Sequence, residues 1–170
     1  MTFTVKHKAK NHLLLSIKAV LLCVFMFTTG CMQEELCEDV TANPLRVGFY
    51  RSDNGDKVPV SLDSLSVIGL GHDSFLYEKI YNVGMIELPL NVLTDSCGFV
   101  LSFHENTDSL KVYYERNLSL VSLECGFVTF FIIKDIKVTN NAIQTFVIES
   151  YNVTNINEQH LQIFIYSDPD

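Results

Sequence analysis

The chain has 170 residues, of which 48% are hydrophobic and 19% charged, with a formal net charge of −8. That apolar share is enough for a packed core and argues against a disordered chain. The negative balance argues against a nucleic-acid or anionic-lipid partner recognised by charge, since such a surface repels both.

The first thirty residues differ from the rest. Lys6, Lys8, Lys10 and Lys18 fall there and no acidic residue does. An apolar run from Leu13 to Phe27 follows, broken only by Ser16 and Lys18. A basic start, a short greasy segment and small residues before a boundary describe an export signal. The unbroken part, Ala19 to Phe27, is far short of the roughly 20 residues that cross a bilayer as a helix. A permanent anchor would also leave Lys18 in or near hydrocarbon, which is costly. "TTGC", Thr28 to Cys31, resembles the bacterial lipoprotein processing box. Gly30 and Thr29 fit its small positions, while Thr28 departs from its preferred Leu. The resemblance implies cleavage before Cys31 and lipidation of its thiol. Two or more acyl chains then anchor a protein stably. Ordinary secretion is the rival reading. "MQE" with Glu35 loosely resembles the acidic export tags of some surface lipoproteins.

The expected organisation is a signal peptide over 1–30, an acidic tether over 31–44 and one domain over 45–167. Without the leader, all twenty acidic residues face eight Lys or Arg, so the net charge becomes about −12. About 140 residues suit a single domain. Cys37, Cys97 and Cys125 remain besides the lipid site. Three cysteines allow one intramolecular bond in three pairings, and disulfides persist outside the cytosol. Cys37–Cys125 is the expected pair, because it would staple the N-terminal segment to the domain. Three buried thiols are the other reading. No histidine pattern accompanies the cysteines at zinc-site spacing, and no metal or cofactor is expected.

In chain order, "LRVGFY" (Leu45–Tyr50) reads as a strand and "SDNGDK" as a tight turn centred on Asn54-Gly55. The same acids suit a hard cation, but the ordered spacing and distal Glu of an EF-hand are missing. "VPVSL" reads as an edge strand because Pro59 lacks a ladder donor. "SLSVIGLG", Phe75–Tyr81 and Gly84–Leu90 follow as strands, with Pro89 placing the last at an edge or ending it early. Cys97–Glu105 and "SLKVYYER" form a predicted hairpin turned at Asn106–Asp108, with Leu110, Val112 and Tyr114 on one face. Tyr113 and Tyr114 then point to opposite faces. Cys125–Val138 reads as a central strand or half of a long bent one. Ile143–Val153 and Glu158–Ser167 are the last strands. About eight or nine short strands with polar turns predict an all-β, single antiparallel β-sandwich-like domain. "CGFV" at 97–100 and 125–128 reads as coincidence in similar strands rather than duplication.

Chemistry is sparse. No Ser sits in a nucleophile-elbow pattern. His72 lies in a loop; His104 and His160 meet only if the fold joins their strand ends. Tyr77, Tyr81, Tyr151 and Tyr166 could add to an outer aromatic patch for protein or sugar, though the chain has no Trp. Two "DSL" triplets resemble the O-glycosylation motif of exported Bacteroides-group proteins and mark Ser64 and Ser109 as candidate acceptors.

Taken together, "LCEDVTANPLRVGFY", "LSVIGLGHDS", "IELPLN", "VSLECGFVTF" and "TNINEQHLQIFIY" resemble a family of uncharacterised Bacteroidales and Flavobacteria lipoproteins, domain-of-unknown-function family 6452. The resemblance covers most of residues 36–166. It implies a membrane-attached β domain and points to no particular activity, since no catalytic residue is established for the family, and Cys97 has no clear place in its pattern. It further implies an accessory role beside an outer-membrane β-barrel protein. The expected function is therefore a lipid-anchored, non-enzymatic envelope protein of the outer membrane, with its periplasmic or surface face undetermined. A sugar- or cation-binding module is the alternative, and a hydrolase built around His72 and nearby acids comes third.

Overall fold

The computed structural model describes residues 43–104, 106–123 and 125–166. The leader and the tether before Asn43, with Cys31 and Cys37, lie outside the described residues. Among the described residues, eleven strands make up the fold. They are β1 Leu45–Asp53, β2 Asp56–Pro59, β3 Leu65–Gly69, β4 Phe75–Ile80, β5 Met85–Leu88, β6 Ser96–Phe103, β7 Thr107–Ser122, β8 Gly126–Val138, β9 Ile143–Ile148, β10 Asn152–Val153 and β11 Leu161–Ile165.

Two sheets pack as a sandwich. The first runs β2-β1-β11-β9, with β5 also paired to β1. One edge of β1 is shared in succession: Leu45–Gly48 pair with β5 and Tyr50–Asp53 with β2. The β1–β2 turn is the expected one, with Asn54 (φ 51°) and Gly55 (φ 93°) both left-handed, as a two-residue hairpin turn requires. The second sheet runs β10-β8-β7-β6-β3-β4. The core between the sheets takes Leu45, Val47 and Phe49 from β1 and Leu161 and Ile163 from β11. Leu65, Val67, Leu101, Leu110, Val112, Ile133 and Ile136 meet them from the other sheet. Alternation in these strands places one apolar face inward.

The sandwich is as expected, with three departures. First, β1 and β11 pair in parallel, Val47 with Leu161 through Tyr50 with Phe164. Sequence patterns signal neighbours joined by short turns, and these two strands lie at opposite ends of the domain. Second, the expected strand 143–153 is two strands in different sheets. β9 pairs β11, while β10 pairs β8, so the chain crosses between sheets at the intervening bend. Third, β7 starts at Thr107 and continues to Ser122, well past the expected end at Arg116. It pairs with β8 along most of its length.

Two buried polar side chains hold the seams. The Asp108 carboxylate, 1% exposed, accepts from Thr139 Oγ1 (2.7 Å) and Asn141 N–H (2.8 Å) on Oδ1. Oδ2 accepts from the N–H groups of Ala142 (2.7 Å) and Ile143 (2.9 Å). This ties the β8–β9 loop to the start of β7. Burial works against the ionised form, but the four donors outweigh it and hold the carboxyl below its ordinary range. His160 is fully buried where the parallel pair begins. Its Nδ1 accepts the Arg46 N–H at 3.0 Å, and its own N–H donates to the Arg46 carbonyl at 3.0 Å. Burial, with the nearby Arg46 charge, pulls the imidazole below its ordinary value, partly opposed by Glu158. The ring is therefore neutral and completes the ladder where no strand residue reaches.

Candidate functional site

The singled-out residues scatter. His104 is exposed in the β6–β7 turn, and His160 is spent on the β1–β11 seam, so the two histidines form no site. Ser64 is half-buried just before β3, and Ser109 is half-buried inside the β6–β7 ladder, opposite Val100. Among the described residues, no group of three His, Cys, Asp or Glu is placed to hold a metal ion. Tyr114 is core and Tyr113 faces outward, as expected. Lys111 and Lys137 both stand over the Tyr113 ring, at 5.0 and 5.3 Å. Cys125 is disulfide-bonded, while Cys97 is a free, half-buried thiol. Burial pushes that thiol up, against hydrogen bonds with Tyr114 and Asn91, so it stays protonated and weakly nucleophilic.

Two surface features stand out. One is a groove of about 490 Å³ between the β3–β4 and β5–β6 loops, lined among others by His72, Ser74, Thr94, Ser96, Cys97 and Lys111. His72 packs over Gly69, where an added Cβ would come within 3.1 Å of the imidazole. Leu70 covers Gly98 in the same way. Among the described residues lining the groove none is acidic, and the one aromatic, Phe99, is buried. His72 thus lacks the carboxylate that would orient a catalytic base. The groove also lacks acidic ligands for a hard cation and an open ring for stacking a sugar.

The other feature is the outer half of the β7–β8 hairpin. The β6–β7 ladder ends at Ser96–Tyr113, followed only by the Tyr114 N–H to Asp95 carbonyl bond. Among the described residues, β7 from Glu115 to Ser122 pairs with β8 alone. Cross-strand pairs put Leu118 opposite Thr129 and Leu120 opposite Phe127, continuing the inner face past the sandwich. Leu118 is 65% exposed, Leu120 52%, Phe127 66% and Leu123, at the tip, 95%. At the root lies a cleft of about 580 Å³, lined by Val92, Asp95, Glu115, Arg116, Leu118 and Thr129. Arg116 Nε donates to Asp95 Oδ1 at 2.8 Å and Nη1 to the Val92 carbonyl at 3.0 Å, which fixes the loop against the arm. The sequence reading stopped at Arg116 because Asn117, Ser119 and Ser122 look like loop. The Leu118-Ser119-Leu120 alternation was the signal available.

Among the described residues no helix is long and apolar enough to cross a membrane. No curated protein and no solved structure matches the chain. A family of unknown function (DUF6452) matches residues 64–165, a span that holds the whole second sheet, β5, β9 and β11 of the first, the groove and the arm, and leaves out β1 and β2. The chain therefore belongs to that family.

Proposed function

We propose that this chain is an envelope lipoprotein, held on the outer membrane through Cys31, whose sandwich serves as a non-enzymatic docking module. Its partner is an outer-membrane protein of the β-barrel type. The observation that carries the docking role is the exposed apolar row Leu118, Leu120, Phe127 and Leu123 on the arm. Soluble surfaces seldom gather such residues without a partner to cover them. The anchor rests on the leader and the "TTGC" segment. A Cys37–Cys125 bond fits this reading, since Cys125 sits in the turn at the tip of the same arm and is already disulfide-bonded. A bond there would link tether to docking surface. Glycans on Ser64 and Ser109 belong to the same exported context.

The test is intact mass and membrane fractionation in a Bacteroides-group host, beside a Cys31→Ser variant. Loss of residues 1–30, a lipid-sized mass gain and a membrane location that the variant lacks are the expected results. A soluble mature form without lipid would replace this reading with a secreted binding module. The groove beside His72 supports that second reading, with a polar ligand that carries no positive charge, given Lys111 and the acid-free lining.

A further inference from the structure

We infer that the open edge of β7 docks a second copy of this chain, the two β7 strands pairing antiparallel about a two-fold axis at Leu118. The inference rests on the reading of the arm as the docking surface and names one occupant of it.

The backbone supplies the first argument. The Tyr114 N–H points toward β6, and a strand alternates its bonding direction every residue. The N–H and C=O groups of Arg116, Leu118 and Leu120 therefore point out of the open edge. No bulge interrupts the pairing with β8 between Tyr114 and Leu120. An edge that is unpaired among the described residues is a template for another strand.

Charge supplies the second. Two copies, each carrying −8 over the full chain and about −12 without the leader, repel over most approaches. From Asn117 to Leu123 the edge carries no charge. A two-fold axis at Leu118 sets Leu118 against Leu118, Arg116 against Leu120 and Glu115 against Val121. No like charges oppose each other, and the outward-pointing backbone groups meet. Identical strands paired antiparallel satisfy a two-fold by construction.

The other edges fit less well. β2 carries Asp56, Lys57 and Pro59, and β4 carries Glu78 and Lys79, the residues that block edge pairing. β9 is also uncharged, but Val147 is its one exposed large hydrophobic residue. Pairing at β7 joins the two Leu118–Leu120 rows into one apolar surface. Confinement of a lipid-anchored chain to a membrane would raise the effective concentration of copies further.

The test is cysteine crosslinking of the full chain in membranes under mild oxidation. Leu118→Cys is expected to give a covalent dimer. Val147→Cys and the unsubstituted chain, with its half-buried Cys97, are expected to give none. Both substituted positions are solvent-exposed, and unchanged melting temperatures would verify folding. Sedimentation of the unsubstituted chain in detergent adds a readout without a new thiol. A dimer is expected there, with Leu118→Lys weakening it at least tenfold. A monomeric chain, a dimer indifferent to Leu118→Lys, or crosslinking at Val147 in place of Leu118 overturns the inference. Photo-crosslinking from Phe127 separates the two failures. A monomer that still crosslinks to an outer-membrane protein removes the second copy and leaves the docking reading standing.

Discussion

The two halves of the β7–β8 hairpin share one ladder and opposite surroundings. In the inner half Leu110, Val112 and Tyr114 pair across to Val138, Ile136 and Ile133, and all but the half-buried Val138 are buried in the core against the first sheet. In the outer half Leu118, Leu120 and Phe127 occupy equivalent face positions and stand in solvent. The repeated "CGFV" makes the same point in four residues. In the first copy Phe99 is 3% exposed and Cys97 is a free thiol. In the second Phe127 faces solvent, Cys125 is disulfide-bonded and Gly126 is left-handed at φ 72°. Residue type is alike in both halves, so type does not decide burial. On this face of the hairpin, the presence of an opposing sheet does. The apolar face of the arm is exposed and contributes little to the stability of the domain that carries it; docking is the use we propose for it.

The largest effect should separate the halves directly. Ile133→Ala is expected to cost about 2–5 kcal/mol, the range for emptying a buried aliphatic site. Leu118→Ala should stay within about 0.5 kcal/mol, as exposed positions do. Urea denaturation of the two variants measures both, and equal losses would erase the distinction between halves. Next comes Asp108→Ala, expected to cost about 3 kcal/mol because buried donors lose a charged acceptor. Its acid behaviour has a definite sign. The folded carboxyl is held below its ordinary value, so its contribution is full above that value and is lost as pH falls through the folded one. His160 is also depressed. Its contribution is full above the ordinary histidine value of about 6.5 and is lost as pH falls from there toward the folded value. Stability measured against pH should therefore fall in two stages on acidification, and His160→Phe should remove the upper one.

Smaller effects sharpen the boundary between the halves. The Tyr114 hydroxyl donates to the Asn91 carbonyl and accepts the Asn91 N–H, both at 3.0 Å. Burial, with Cys97 nearby, pushes its pKa up to about 12, so it stays neutral at any working pH. Tyr114→Phe should cost about 1–2 kcal/mol by denaturation, the loss of a buried hydrogen-bonding group. One residue pair further out, Arg116→Ala breaks an exposed ion pair with Asp95 and should cost less than about 1 kcal/mol. A larger loss at Arg116 than at Tyr114 would move the end of the folded body outward.

The sequence was most legible where local chemistry acts. Asn54-Gly55 announced its turn, Pro59 marked an edge strand, although that strand runs Asp56–Pro59 and not on through Leu62, and the alternation of Leu110, Val112 and Tyr114 marked the inner face. Distant pairing was not legible. Nothing in Arg46 or His160 alone says that an imidazole will cap a parallel seam. Asp108 looked like a turn acid because its four donors lie some thirty residues away, in "TNNAI". Sites fared differently. His72 and Cys97 do line one groove, yet neither the acids nor the second histidine that chemistry would need are brought to it. The arm was missed because its serines read as loop, although its leucines alternate as a strand's do. Cys31 and Cys37 lie outside the described residues, so the anchor and the choice of Cys37 as the partner of the disulfide-bonded Cys125 rest on the sequence.

The central claim is that the outer half of the hairpin is a docking surface. It is tested most directly by photo-crosslinking in intact cells from a benzophenone amino acid at Phe127, compared with one at Tyr113 on the outward face of the inner half. The account predicts a discrete protein adduct from Phe127 that disappears with Leu118→Lys and Leu120→Lys together, and none from Tyr113. Adducts from Tyr113 without any from Phe127 would contradict it, and would move the docking surface to the lysine-flanked face of the sandwich.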